Sequence, residues 1–136
     1  MGVEYSCLLA DSGKAFLFDI VNGQLSNVLS EHSIVSVSAG QEHILLLTED
    51  GQVLSYGKGS RGQLGHGNLD DIVEGFAVPV EALEGVPCKA ITAGGWHSMA
   101  LSETGDVYVW GWYVVALISN LSATESFKIT GTKRVN

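Results

Sequence analysis

His43 and His97 stand 54 residues apart in matching surroundings, and they are the first residues in this chain whose type and recurrence could do chemistry. Two imidazoles can ligate a divalent metal or exchange protons near neutral pH. With Cys7 and Cys88 they would form a mixed nitrogen and sulfur set. Their placement points elsewhere. Zinc ligands usually come as close pairs a few residues apart, and Cys7 and Cys88 are not so placed. A residue that recurs once per unit serves something every unit needs, so each histidine is expected to satisfy backbone groups inside its own unit. No metal and no cofactor is expected. No nucleophile motif, P-loop or dinucleotide fingerprint is present, and the glycines at Gly94-Gly95 and from 57 to 67 do not join a strand to a helix. The chain is not expected to be an enzyme.

The surroundings that match are AGQEHILLLTEDGQVLSYG, residues 39–57, and AGGWHSMALSETGDVYVWG, residues 93–111, identical at eight of nineteen aligned positions. Each copy reads as strand, tight turn, strand. HILLLTE and QVLSYG flank Glu49-Asp50-Gly51; HSMALSE, alternating through His97, Met99 and Leu101, and DVYVWG flank Glu103-Thr104-Gly105. A glycine at such a turn supplies positive φ at little cost. IVSVSAG and VPCKAITAGG precede the two hairpins as a further strand each. VPVEALEG offers a fourth from about Val78 to Leu83. A worn third copy is read at Tyr5–Phe18, with Gly13 at the turn and Phe18 at the Tyr56/Trp110 position. A period of 54 suits propeller-type units of several short strands. The expected fold is all-β, a partial and unclosed β-propeller of two to three four-stranded blades with an irregular C-terminal tail. Its parts are a degenerate repeat at 1–33, a repeat at 34–87, a partial repeat at 88–111 and a non-repeat tail at 112–136, of which only 112–123 could be helical.

Composition narrows the partners. Fifteen acidic residues against seven basic give a net charge of −8, and the basic residues are scattered apart from Lys133-Arg134, so direct binding to nucleic acid is disfavoured. Two cysteines are too few for a disulfide scaffold and read as buried thiols of a reducing compartment. MGVEYSCLLA has no basic leader; its match to the myristoylation pattern through Gly2 and Ser6 is read as a strand instead. The uncharged run from Val107 to Thr124 belongs in part to the repeat, contains Gly111 and Asn120, and is not read as a membrane span; the sequon at Asn120 matters only in a secreted chain.

Ala-Gly-x-x-His, then Leu-x-Glu-x-Gly-x-Val-x-x-(Tyr/Trp)-Gly, then Gly62-Gln63-Leu64-Gly65-His66-Gly67, resembles the regulator-of-chromosome-condensation repeat family. The likeness covers about residues 34–111 and, more faintly, 3–33. It implies a seven-bladed propeller of four-stranded blades, of which this chain holds part. Residues 113–136 lack the continuation the family would have and are expected to be foreign to the fold, the end of a truncated or alternatively spliced chain. Within the family, the likeness to a chromatin-associated member implies a protein-interaction module with a Jumonji-C-domain oxygenase acting on histones as partner, and a link to mitotic chromosome segregation. Nucleus or cytoplasm is the expected location, with chromatin reached through the partner. The alternatives are guanine-nucleotide exchange on a small GTPase, the founding member's activity, and a truncated product without function. Partner contact is assigned to four residues. Trp96 fills the two-residue slot that the other copy gives to Gln41-Glu42, and Lys58, Arg61 and His66 lie in the glycine-rich loop.

Overall fold

The structure is a computed structural model, and it describes residues 5–19, 24–28, 30–60, 62–66, 70–73, 76–95, 97–111 and 131–134. Three antiparallel hairpin-based sheets follow one another along the chain. The first holds β1 (Tyr5–Leu9), β2 (Ala15–Asp19) and β3 (Gln24–Val28) in that order. The second holds β4 (Ile34–Ala39), β5 (His43–Thr48), β6 (Val53–Gly57) and β7 (Val78–Pro79). The third holds β8 (Cys88–Gly94), β9 (His97–Ser102) and β10 (Asp106–Gly111), with β11 (Gly131–Arg134) on the outer edge of β10. The architecture is all-β, and the sheets do not close on themselves. Among the described residues the only helical turn is the 3-10 turn Glu81–Leu83, and no helix is long and apolar enough to cross a membrane.

The strand expected over Val78 to Leu83 is shorter: it ends at Pro79, whose missing N–H cannot extend the ladder, and the 3-10 turn then delivers Leu83 to the core. In the tail, Gly131–Arg134 pairs with β10 in parallel, Asp106 opposite Gly131 through Val109 opposite Arg134. That stretch is therefore strand. β7 pairs with β6 antiparallel at the corresponding edge. A sheet edge offers unpaired main-chain groups, and a strand of either direction can satisfy them. Residues 112–123 lie outside the described residues, as do Gly2 and Asn120.

Two cores lie between the sheets. Ala15, Ile34, Ile44, Leu46, Leu54, Tyr56 and Ala77 form one, with Cys7 and Leu17 of the first sheet against it. Leu45, Leu47, Val53, Val80, Leu83, Cys88, Ala100 and Trp110 form the other. Alternate residues of β5 thus serve different neighbours, which is why HILLLT is buried at every position. β9 is buried at Ser98, Ala100 and Ser102 and only half-buried at His97, Met99 and Leu101. The alternation read in its sequence is present, but the face it buries most deeply is that of the small residues, because that face meets the second sheet.

The hairpin turns explain the recurring glycine. Gly13, Gly51 and Gly105 have φ of 86°, 86° and 95°, the left-handed region where a side chain is strained. The turn also joins sheets: Ile34 N–H donates to Gly13 O and Cys88 N–H to Gly51 O, both at 2.8 Å. Cys88 is buried and Cys7 half-buried, both as free thiols. Burial pushes both up to about 11, with Glu103 adding to the effect at Cys88.

Candidate functional site

His43 opens β5 opposite Gly57 at the end of β6. Its ring lies against Gly40: a Cβ placed there would stand 2.5 Å from Cε1 and 2.7 Å from Nδ1. Gly94 holds the same relation to His97, with 2.7 Å to Nε2. The Ala-Gly-x-x-His pattern is therefore one device, a glycine that makes room for the imidazole three residues on. His43 is fully buried and its Nε2 lies 2.8 Å from Ser98 Oγ, on the next sheet. At His43 this corrects the expectation that each histidine satisfies backbone groups inside its own unit. Ser98 Oγ donates to Gln63 O at 2.8 Å, so its lone pair is left to accept from the Nε2–H tautomer of His43. Burial pulls the His43 pKa down to about 4; the His97 main chain and the charge of Glu42 oppose this and do not offset it.

Gln63 O accepts a second donor, Trp110 Nε1, at 2.8 Å. Gln63, Ser98 and Trp110 are each 0% exposed, so these bonds form away from water, where leaving a group unpaired is costly. One carbonyl farther, Leu64 O accepts from Ser55 Oγ, which in turn lies 2.8 Å from His66 Nε2. The glycine-rich loop is thus held by two histidine-to-serine-to-carbonyl links, one from its own sheet and one from the next. With the serine proton committed to a carbonyl and the site closed to water, the arrangement is a joint between sheets and not a nucleophile with its base. Ser98 and Gln63 escaped sequence reasoning because Ser98 aligns with Ile44 and Gln63 has no counterpart in the second copy. Gln63 had one signal, the Gly-Gln-Leu-Gly motif itself, and Ser98 had none.

Of the four residues assigned to partner contact, the structure describes two. Lys58 Nζ lies 3.4 Å from Asp71 Oδ2 at the surface. Gly59 N–H donates to Asp71 Oδ1 at 2.9 Å, and that bond, with a smaller contribution from Lys58, holds the Asp71 carboxyl below its ordinary value. His66 is half-buried and turned to Ser55; burial lowers its pKa, against a smaller opposing effect of Glu81. Arg61 and Trp96 lie outside the described residues. Their neighbours do share one end of the second and third sheets: Gln41 N–H donates to Gly95 O at 2.9 Å, Lys58 N–H to Glu42 O at 2.8 Å, and Gly62 comes near Gly111. Among the described residues no group of three or more His, Cys, Asp or Glu side chains could hold a metal ion.

The Regulator of chromosome condensation (RCC1) repeat matches residues 34–63 and 50–101. The chain belongs to the RCC1 repeat family. It is 50% identical over 82 residues to RCC1 domain-containing protein 1 of Mus musculus, covering 60% of this chain and 21% of that protein. It is 53% identical over 73 residues to the Homo sapiens protein of the same name, covering 54% of this chain and 19% of that one. The chain therefore spans about a fifth of the length of these curated relatives. Among solved structures it superposes on human WBSCR16 with a TM-score of 0.73, 23% identical, over 96% of this chain and 36% of that one. On Prp20p of Saccharomyces cerevisiae, described with its binding properties to Gsp1p and histones, the TM-score is 0.69 at 18% identity, over 98% of this chain and 41% of that one. At those identities the superpositions show the fold alone.

Proposed function

We propose that the chain is a protein-interaction module of a chromatin-associated β-propeller protein, that its partner is a Jumonji-C-domain oxygenase acting on histones, and that it serves mitotic chromosome segregation from the nucleus. Contact is made by Trp96, Lys58, Arg61 and His66. The observation that carries the reading is the joint at one loop end. Gln63 O accepts from Ser98 Oγ and Trp110 Nε1, and Gln41 N–H donates to Gly95 O, so the glycine-rich loop and the slot beside Gly95 keep a fixed separation. A rigid scaffold presenting dissimilar loops suits recognition more than chemistry. The likeness to RCC1 domain-containing protein 1 supports a propeller-borne interaction module. The test is affinity for the oxygenase by titration calorimetry. Trp96→Ala is expected to weaken binding at least about tenfold, as an aromatic anchor would, with unchanged far-UV circular dichroism. Unchanged affinity removes Trp96 from the site.

The binding of Gsp1p by Prp20p favours a second reading, guanine-nucleotide exchange on a small GTPase. It predicts acceleration of labelled-nucleotide release from a nuclear-transport GTPase by this chain; release at the uncatalysed rate rejects it.

A further inference from the structure

We propose that a hollow at the hairpin-turn end of the first two sheets takes an arginine side chain from a basic segment of a partner protein. The hollow holds about 430 Å³, enough for a long side chain and the main chain that carries it. Its walls are the β1–β2 turn, with Ser12 and Lys14, the connection from β3 to β4, with Ser30, Glu31 and His32, and Phe76 ahead of β7. Main-chain bonds hold these walls together. Ile34 N–H donates to Gly13 O at 2.8 Å, and Glu49 N–H to Ser33 O at 3.0 Å. β4 begins here at Ile34 and ends at Ala39, just before Gly40, so the hollow and the loop end lie at opposite ends of that strand. It shares no residue with the contact proposed at the loop end.

Three features choose the occupant. Phe76 is 49% exposed, an aromatic surface left open to water. A guanidinium stacks on such a ring and, being more weakly hydrated than an ammonium, gives up less water to do so. Glu31 is exposed, and its carboxylate has no hydrogen bond or ion pair among the described residues. Both of its oxygens can therefore accept from a guanidinium. Ser30 is only 4% exposed; its Oγ accepts from His32 N–H at 3.0 Å and gives its own proton to no described residue. A buried hydroxyl with an uncommitted proton calls for an acceptor, and the main chain of an incoming segment supplies a carbonyl. The surrounding charge agrees. Asp11, Glu49 and Asp50 stand exposed around Glu31, against Lys14 and His32, and the whole chain carries −8, which draws a cation toward it.

Short labelled peptides that alternate glycine with arginine, lysine or phosphoserine, titrated with the 136-residue chain at low ionic strength and followed by fluorescence anisotropy, test this. The arginine peptide is expected to bind, and the lysine peptide to bind more weakly. Phe76→Ala and Glu31→Lys should each weaken the arginine peptide at least about threefold. Lys14→Gln should tighten it about twofold, because a like charge leaves the hollow. Phe76→Leu, which keeps apolar bulk and loses the ring, repeats the test where Phe76→Ala loses its melting transition. Glu81→Lys makes the same change in net charge as Glu31→Lys but outside the hollow, beside His66, and should weaken binding by less than about twofold. Equal losses from Glu31→Lys and Glu81→Lys mean a general attraction to an acidic protein and overturn the proposal. Failure of the arginine peptide to bind overturns it too. So does a phosphoserine peptide that binds instead and is weakened by Lys14→Gln, which assigns the hollow to an anion.

Discussion

Acid should loosen this protein through one residue. His43 is fully buried and its pKa is pulled from 6.5 to about 4, so the folded state resists a proton that the unfolded chain takes readily. A histidine depressed on folding contributes stability that is present above its unfolded value and lost as the pH falls toward its folded value. The window is therefore pH 6.5 down to about 4. At about 1.36 kcal/mol per pKa unit the full effect is on the order of 3 kcal/mol, most of it gone by pH 4.5. That is a large part of the stability of a small domain. Urea unfolding followed by tryptophan fluorescence at intervals from pH 7 to 4.5 reads it as a falling midpoint. His43→Gln should start from a lower plateau and fall less steeply. Some slope should persist in that variant, because burial lowers His66 and His97 in the same direction. Asp71 is depressed too, but its contribution is lost only below the ordinary carboxylate value of 3.8, outside the window. A wild-type midpoint that stays flat between pH 6.5 and 4.5, or a variant as acid-sensitive as the wild type, refutes the placement of a buried neutral imidazole between the sheets.

Three other outcomes are expected. Gly40→Ala puts a methyl group 2.5 Å from the His43 ring and 3.1 Å from Gly95 O, and should cost about 1–3 kcal/mol in urea melts; Gly94→Ala should cost less, since the half-exposed His97 ring can yield. Ser98→Ala strands the Nε2–H of His43 and removes one donor from Gln63 O, and should cost about 1–3 kcal/mol in the same melts; an unchanged midpoint would mean that His43 is satisfied otherwise. Cys7 and Cys88, pushed up to about 11, should be thiolate at only about one part in a thousand at pH 8 and resist iodoacetamide until urea is added.

The strands were legible because their signals are local. Alternation, the turn glycines 13, 51 and 105, and the spacing of the copies each depend on a few neighbouring residues. Sidedness was less legible. HILLLT and HSMALS occupy equivalent places, yet the first is buried on both faces and the second more deeply on one, and that depends on which sheets lie beside them. The hydrogen-bonded joint was hidden for a similar reason. His43 recurs and so drew notice, but its partner Ser98 lies 55 residues on, at a place where the other copy has Ile44. A contact between one unit and the next pairs different positions of the repeat, so aligning the units with one another cannot display it. The parallel strand Gly131–Arg134 had no repeat counterpart from which to be read.

What recurs and what varies divide the work of the loop end. Gly40, His43 and Gly57 recur as Gly94, His97 and Gly111, and the first set is consumed in seating an imidazole and passing its N–H to the next sheet. Residues so committed have little left for a partner. Between the glycine and the histidine the copies differ at both positions, Gln41-Glu42 against Gly95-Trp96, and the main-chain bond from Gln41 to Gly95 fixes the two slots against each other. A surface built this way can change its chemistry at the slots without disturbing the joint beneath. Substitutions at 41, 42 or 96 should therefore alter recognition at nearly constant stability, whereas those at 40, 43, 63, 98 or 110 should alter stability first and recognition only as a consequence.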